Sequence, residues 1–255
     1  MHTTRRSALP LIALLLACTA FFCASTRILK SDFPGDKQEA PAAAPSAGAR
    51  QGSGASPLTC VVLDAGHGGE DGGAVSVTGV VEKEINLAVT LALRDLFETA
   101  GIPVVMTRTE DRLLYDRNVD FQGRKKVLDL AARRLVAEQT EGGLFISIHM
   151  NAFPQPQYCG MQVWYGVADP RSAEIAASIQ RASTAIMPDN TRETKAAGSQ
   201  IYLLDRIRTP AVLVECGFLS NPDEAARLTD EVYQNALAAV IFSAVVPYLT
   251  AAAGG

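Results

Sequence analysis

Histidine is scarce in this chain of 255 residues: there are three, His2, His67 and His149. His2 lies in an apolar leader, so the folded part has only two. Cysteine is almost as sparse. Cys18 and Cys23 fall in the leader, which leaves Cys60, Cys159 and Cys216. Three cysteines cannot close a disulfide framework, and no Cys-x-x-Cys pair occurs. There is no Gly-x-Ser-x-Gly and no Walker-type phosphate loop, so the sequence offers neither a nucleophile elbow nor a nucleotide cradle. The formal net charge is −4, and nothing points to a nucleic-acid partner. No internal repeat is present.

What is present begins with a leader. Arg5 and Arg6 precede an apolar run from Ala8 to Ala24, a positive region followed by a hydrophobic one. Residues 1–30 are read as a signal peptide or membrane anchor. Cleavage near Ser25, retention as an anchor, and acylation of Cys18 are all open. Each puts the folded part outside the cytoplasm, with membrane contact through the N-terminal segment. Residues 31–57 are rich in Ala, Pro, Gly, Ser and Gln, and cannot bury enough apolar surface to order themselves. They read as a disordered linker to a domain spanning residues 58–250.

In that domain apolar strands alternate with helical patterns. Val61-Val62-Leu63, Val104-Val105-Met106, Leu144 to Ile148, Gly160 to Tyr165, Ile201 to Leu204, and Pro210 to Val214 read as strands. Helices are expected from Glu82 to about Ala100, from Gly123 to Gln139, after Asp169-Pro170, and from Asn221-Pro222 through a last amphipathic helix to about Tyr248. The fold class is therefore α/β: a single domain with a mostly parallel or mixed central sheet of about six strands and helices on both faces. Arg108 to Lys126 is a charged connection that reads as a solvated face. Pro188 to Gly198 is polar and loop-like, fit for the rim of a cleft.

Three strands run straight into chemistry. His67 follows Val61 to Leu63 inside a glycine-rich turn, His149 ends the strand Leu144 to Ile148, and Glu215 follows Ala211 to Val214. Strand ends in α/β sheets are where sites form. A lone histidine capping a turn would be unremarkable, but both usable histidines stand in equivalent places. Glu82 and Glu84 share the first turn of a helix, where either could simply favour the helix dipole. Two histidines and a carboxylate make a three-ligand zinc site with an open position. A second carboxylate can move protons beside it. The inventory fits metal-assisted hydrolysis of an amide.

Four segments then carry a resemblance. Asp64-Ala65-Gly66-His67-Gly68-Gly69, Glu82-Lys83-x-x-Asn86-Leu87, Ser147-Ile148-His149-x-Asn151 and Val214-Glu215-x-Gly217-Phe218-Leu219-Ser220-Asn221 resemble, in order and spacing, the motifs of zinc-dependent N-acetylmuramoyl-L-alanine amidases. The resemblance covers about Thr59 to Leu249. It implies one Zn2+ held by His67, Glu82 and His149, selecting Glu82 over Glu84. It also implies Glu215 as the catalytic carboxylate, Asn151 as a substrate contact, and peptidoglycan as the substrate. Asn151-Ala152-x-Pro154-x-Pro156 and Gln200 to Leu204 look like the germination-specific amidases of spore formers. That likeness implies a role in spore cortex, where muramic δ-lactam forms, and a place in the forespore envelope. An activator protein is a further expected partner. Ala65 stands where proline is commoner and Cys216 where threonine is commoner; neither touches an implied ligand. The rival readings are a catalytically silent or activator-dependent wall-binding protein, and a zinc peptidase acting on stem peptides.

Overall fold

Runs of Val, Ile, Leu and Phe, buried on both sides, build the middle of the sheet. The computed structural model describes residues 56–116, 118 and 122–250. The leader, and all but the last two residues of the 31–57 linker, lie outside the described residues. Six strands form one sheet: β1 (Cys60–Ala65), β2 (Val104–Met106), β3 (Gly143–Asn151), β4 (Gln162–Tyr165), β5 (Lys195–Ala196) and β6 (Ala211–Phe218). Their order is β2-β1-β3-β6-β4-β5. The first four in that order are mutually parallel, β4 runs antiparallel to β6, and β5 is parallel to β4. The sheet is mixed and mostly parallel, as expected.

Six helices among the described residues cover it: α1 (Glu82–Thr99), α2 (Lys125–Gln139), α3 (Arg171–Ala182), α4 (Tyr202–Arg206), α5 (Pro222–Leu228) and α6 (Glu231–Thr250). Side chains alternate across a strand, so each strand feeds both faces. Val61, Leu63, Ile146, Ile148, Val212 and Val214 pack with Val89 and Leu93 of α1, Ile175 and Ile179 of α3, and Leu237 and Ile241 of α6. On the other face Val62, Phe145 and Leu213 pack with Ala137 of α2 and with Leu203, Leu204 and Ile207.

Several expectations are corrected. The loop-like Pro188 to Gly198 segment contains the two-residue edge strand β5. Ile201 to Leu204 is not a strand: a short 3-10 turn over Gly198–Gln200 leads into α4. Four apolar residues satisfy either period, and here Leu203, Leu204 and Ile207 meet the core at helical spacing. The last helix is not amphipathic. Residues Glu231–Leu249 have a mean hydropathy of 1.5, long and apolar enough for a membrane span by composition. The helix packs against both α1 and α3, which explains apolar residues around so much of its girth.

The same alternation sends Asp64, Ser147, His149 and Glu215 to the face covered by α2 and α4. Asp64 stands opposite Ser147, and His149 opposite Glu215. Asp64 is fully buried and accepts from Ser147 Oγ at 2.6 Å, Thr107 Oγ1 at 2.7 Å and Arg133 Nη1 at 2.6 Å. Burial alone would raise its carboxyl; Arg133 and the two hydroxyls outweigh that and hold it below the usual range. Arg133 also takes Asp129 Oδ2 at 2.7 Å and the carbonyls of Ala65 at 2.8 Å and His67 at 2.6 Å. Arg108 donates to the carbonyls of Ala65, Gly66 and Lys83 at 2.8 to 2.9 Å. Both arginines are 1% exposed. The Arg108 to Lys126 connection is therefore not all solvated face: its first residue is a buried clamp on the His67 turn.

Arg133→Met should destabilise the protein by about 3–5 kcal/mol, because it leaves Asp64 buried and unpaired. Arg134→Met, which removes only the surface pairing with Glu138 at 3.6 Å, should cost about 0–1 kcal/mol. Urea unfolding with unchanged m-values measures both, and equal costs would mean that the buried pair has no special weight.

Candidate metal centre

The chain leaves β1 through Gly66, turns at His67, and continues through Gly68 and Gly69. His67 has φ +61°, in the left-handed region that a side chain with a Cβ rarely adopts. The two guanidiniums hold the carbonyls on either side of it, so the strained turn is over-determined. Two glycines are required by close approach. A Cβ on Gly66 would stand 2.3 Å from the His149 ring, and one on Gly73 would stand 2.8 Å from the His67 ring and closer still to Glu82.

Around that turn three side chains converge. One ligand atom each from His67, Glu82 and His149 lies within 4.8 Å of the others. His67 Nε2 is 3.2 Å and His149 Nδ1 is 3.0 Å from the same oxygen, Glu82 Oε1. Glu82 opens α1 and is 3% exposed. Its Oε1 also accepts from the Met150 N–H at 3.1 Å and from Asn86 Nδ2 at 3.2 Å, while Oε2 accepts from the Ala74 N–H at 2.8 Å. Burial would raise this carboxyl; the two imidazoles outweigh it and push it far below the usual range. Glu84, two residues on, is exposed and is not among the clustered ligand groups.

Asp71 is the residue that sequence reasoning missed. Its Oδ2 lies 2.9 Å from His67 Nδ1, and its Oδ1 accepts from the Gly73 N–H at 3.2 Å. Burial depresses a histidine, but Asp71 and Glu82 overcome it and raise His67 to about 9. A carboxylate on the far nitrogen of an imidazole fixes the ring and increases its basicity as a ligand. The available signal was an acid four residues after a candidate ligand, inside a glycine-rich turn.

Glu215 faces His149 across the β3–β6 pair. Its Oε2 is buried without a hydrogen-bond partner. Burial, reinforced by the Glu82 carboxylate, raises its carboxyl to about 8. Asn151 ends β3, where its Oδ1 accepts from the Ala152 N–H at 2.8 Å and its carbonyl from the Leu219 N–H at 2.8 Å. Of the sequence candidates, the structure thus gathers His67, Glu82 and His149, sets Glu215 opposite His149, and leaves Glu84 outside. Glu70 is exposed and paired with Lys125 at 2.6 Å. Cys216 is buried and its thiol is pushed up by burial, which makes it inert packing.

The donor set suits a divalent metal. Two imidazole nitrogens and one carboxylate oxygen are pre-positioned, glycines clear the space around them, and the Glu215 carboxyl stands across the strand pair from His149. With a divalent metal held by His67, Glu82 and His149, the site would gain a Lewis acid able to polarise a carbonyl and acidify water, beside the Glu215 carboxyl.

Residues 61–246 match the family described as N-acetylmuramoyl-L-alanine amidase. The chain is 36% identical over 190 residues to the germination-specific N-acetylmuramoyl-L-alanine amidase of Bacillus subtilis, covering 74% of this chain and 79% of that one. Among solved structures it is similar to the CwlD amidase from Clostridioides difficile in complex with the GerS lipoprotein, with 40% identity and a TM-score of 0.71 over 76% of this chain and 99% of that one. The catalytic domain of CwlV from Bacillus (Paenibacillus) polymyxa superposes with a TM-score of 0.64 at 28% identity, over 76% and 99%.

The metal-free protein should lose stability as pH rises. Glu215, raised from 4.5 to about 8, and His67, raised from 6.5 to about 9, each hold a proton in the fold that the unfolded chain has given up. Those contributions are complete below the unfolded values and vanish through the folded ones, so the decline runs from pH 4.5 to about 9. Urea midpoints across that range test it. Glu215→Gln should flatten the part below about 8, and an unchanged slope would remove Glu215 from the account.

Proposed function

The chain belongs to the N-acetylmuramoyl-L-alanine amidase family and is an amide hydrolase of peptidoglycan, and from that premise we propose that it works with one zinc ion held by His67, Glu82 and His149 and with Glu215 as the catalytic carboxylate. The observation that carries this reading is the convergence of both imidazoles on Glu82 Oε1, with the unpartnered Glu215 Oε2 beside them. When bound, the ion supplies Lewis-acid polarisation of the amide carbonyl and lowers the pKa of water. The chain's own groups do the rest. Glu82 contributes one oxygen while its other is held by the Ala74 N–H, which fixes the carboxylate plane. Asp71 stands 2.9 Å from His67 Nδ1 as an ion-pair partner and leaves Nε2 facing the ligand cluster. Glu215 accepts the proton of the attacking water and delivers it to the departing L-alanine nitrogen. Its carboxyl near 8 in the metal-free site is high for a base, and a cation alongside would draw it down into working range. Asn151, at the end of the same strand as His149, is proposed to contact substrate.

The proposal extends to setting. The likeness to a germination-specific amidase supports a role in spore cortex, where cleavage at the muramoyl–alanine bond precedes muramic δ-lactam formation. The likeness to an amidase solved with a lipoprotein supports an activating protein partner. An extracytoplasmic place follows from the substrate, with residues 1–30 as signal or anchor, 31–57 as tether and 58–250 as the catalytic domain. A non-catalytic wall-binding role would not require a carboxylate kept unpartnered beside the ligand cluster.

Digestion of purified peptidoglycan should yield new L-alanine amino termini; another new terminus would mean a peptidase, and no product a binding protein. His67→Ala and His149→Ala should lose zinc by metal analysis while staying folded. Asp71→Asn should weaken zinc affinity about 10–100-fold in a chelator competition. Glu215→Gln should keep zinc and lose turnover by about two orders of magnitude or more. If it loses zinc as well, Glu215 is a ligand.

A further inference from the structure

A row of side chains continues past Glu215. Gln162 of β4 stands directly opposite Glu215 in the antiparallel β4–β6 pair, so both project from the same face of the sheet. Gln162 is 4% exposed; its Nε2 donates to the Glu193 carbonyl at 2.9 Å, and its Oε1 accepts from Arg192 Nη1 at 3.4 Å. Arg192 lies in the rim segment after α3. It is half-buried and held from several sides. Its Nε donates to the Cys159 carbonyl at 2.6 Å, and its backbone N–H to Asn190 Oδ1 at 3.2 Å. Its guanidinium stacks 4.2 Å from the ring centroid of Phe218, three residues beyond Glu215. Asn190 is fixed in turn by bonds to the Met161 carbonyl and Ser183 Oγ.

Charge sets this arginine apart. Three lysines near the cluster each meet an acid: Lys83 meets Asp111 at 2.7 Å, Lys125 meets Glu70 at 2.6 Å and Lys126 meets Asp71 at 3.6 Å. Among the described residues no carboxylate lies within ion-pair distance of Arg192, and its Nη2 has no hydrogen-bond partner. Lys195, three residues on, lies 5.3 Å from the Trp164 ring and likewise has no acidic partner among them. A guanidinium that is immobilised, partly desolvated and uncompensated is a ready receptor for an anion, and its planar fork matches a carboxylate.

We propose that Arg192 is a specificity-determining residue that binds a free carboxylate on the peptide arm of the substrate, placing that arm over β4 and β5 while the scissile amide sits at His67, Glu82, His149 and Glu215. The inference rests on the amidase reading. The peptide arm of peptidoglycan offers such a group on the glutamyl residue after L-alanine, unless that carboxyl is amidated. The pocket would therefore sort substrates by one charge.

The test uses two muramoyl peptides that differ only in whether that carboxyl is free or amidated, with the zinc-loaded full-length protein. Wild type should favour the free acid. Arg192→Gln should raise KM for the acid about 10- to 100-fold, the scale of a lost charge-assisted hydrogen bond, with kcat little changed. Its KM for the amide should stay within about twofold, removing the preference. Arg192→Lys keeps the charge without the fork and should restore part of the preference; it also serves as the test if the glutamine variant does not fold. Equal losses on both substrates, or an unchanged acid-to-amide ratio in an active variant, would overturn the inference. If wild type releases L-alanine amino termini from neither peptide, the amidase reading itself fails and this inference falls with it.

Discussion

Two guanidiniums in a dry interior set the position of everything at the strand ends. The turn after β1 directs the carbonyls of Ala65, Gly66 and His67 into the protein rather than into a ladder or water. Inward carbonyls without donors would each carry a desolvation cost. Arg108 and Arg133 supply the donors, and Asp64 and Asp129 supply the counter-charge that lets Arg133 be buried. The imidazole of His67 is thus aimed by its backbone before any ligand arrives. Because Asp64 also ties β1 to β3 through Ser147, the same network fixes the distance between the His67 turn and the strand that carries His149.

The cluster around Glu82 gains its order from different sources. Met150 and Ala74 backbone donors, Asn86 on the next turn of α1, and the two imidazoles all address one carboxylate. Space is made by omission: side chains at positions 66 and 73 would occupy the volume of the histidine rings. Rigidity here comes from backbone donors and absent Cβ atoms, which is why a turn, a helix start and a strand end can hold three ligand groups in one place.

Much of this was legible in the chain. Apolar runs of period-free Val, Ile and Leu marked the buried parallel strands, and a histidine or glutamate at the end of three of them, β1, β3 and β6, marked the site, because such residues are costly there without a function. Charge partnerships were not legible. Arg133 sits four residues after Asp129, the spacing of an ordinary surface pair, and nothing local says that it reaches back to β1. Arg108 likewise read as one cation among many. Ile201 to Leu204 was ambiguous because four apolar residues carry no period; the neighbouring Ile207 decided it only once the core was in view. Asp71 was hidden because an acid in a glycine-rich loop, beside Glu70, reads as an ordinary solvated turn residue.

The position of β6 has a consequence in time. It is the last strand in sequence, yet it lies between β3 and β4 in the sheet. A ribosome emits His67, Glu82 and His149 well before Glu215, and domains complete their folding only when the late central strand is in place. A growing or truncated chain can thus contain every proposed metal ligand and still lack Glu215, the carboxylate proposed to move the proton. Strand order therefore separates in synthesis the groups that would hold a metal from the carboxylate set opposite them in the finished sheet.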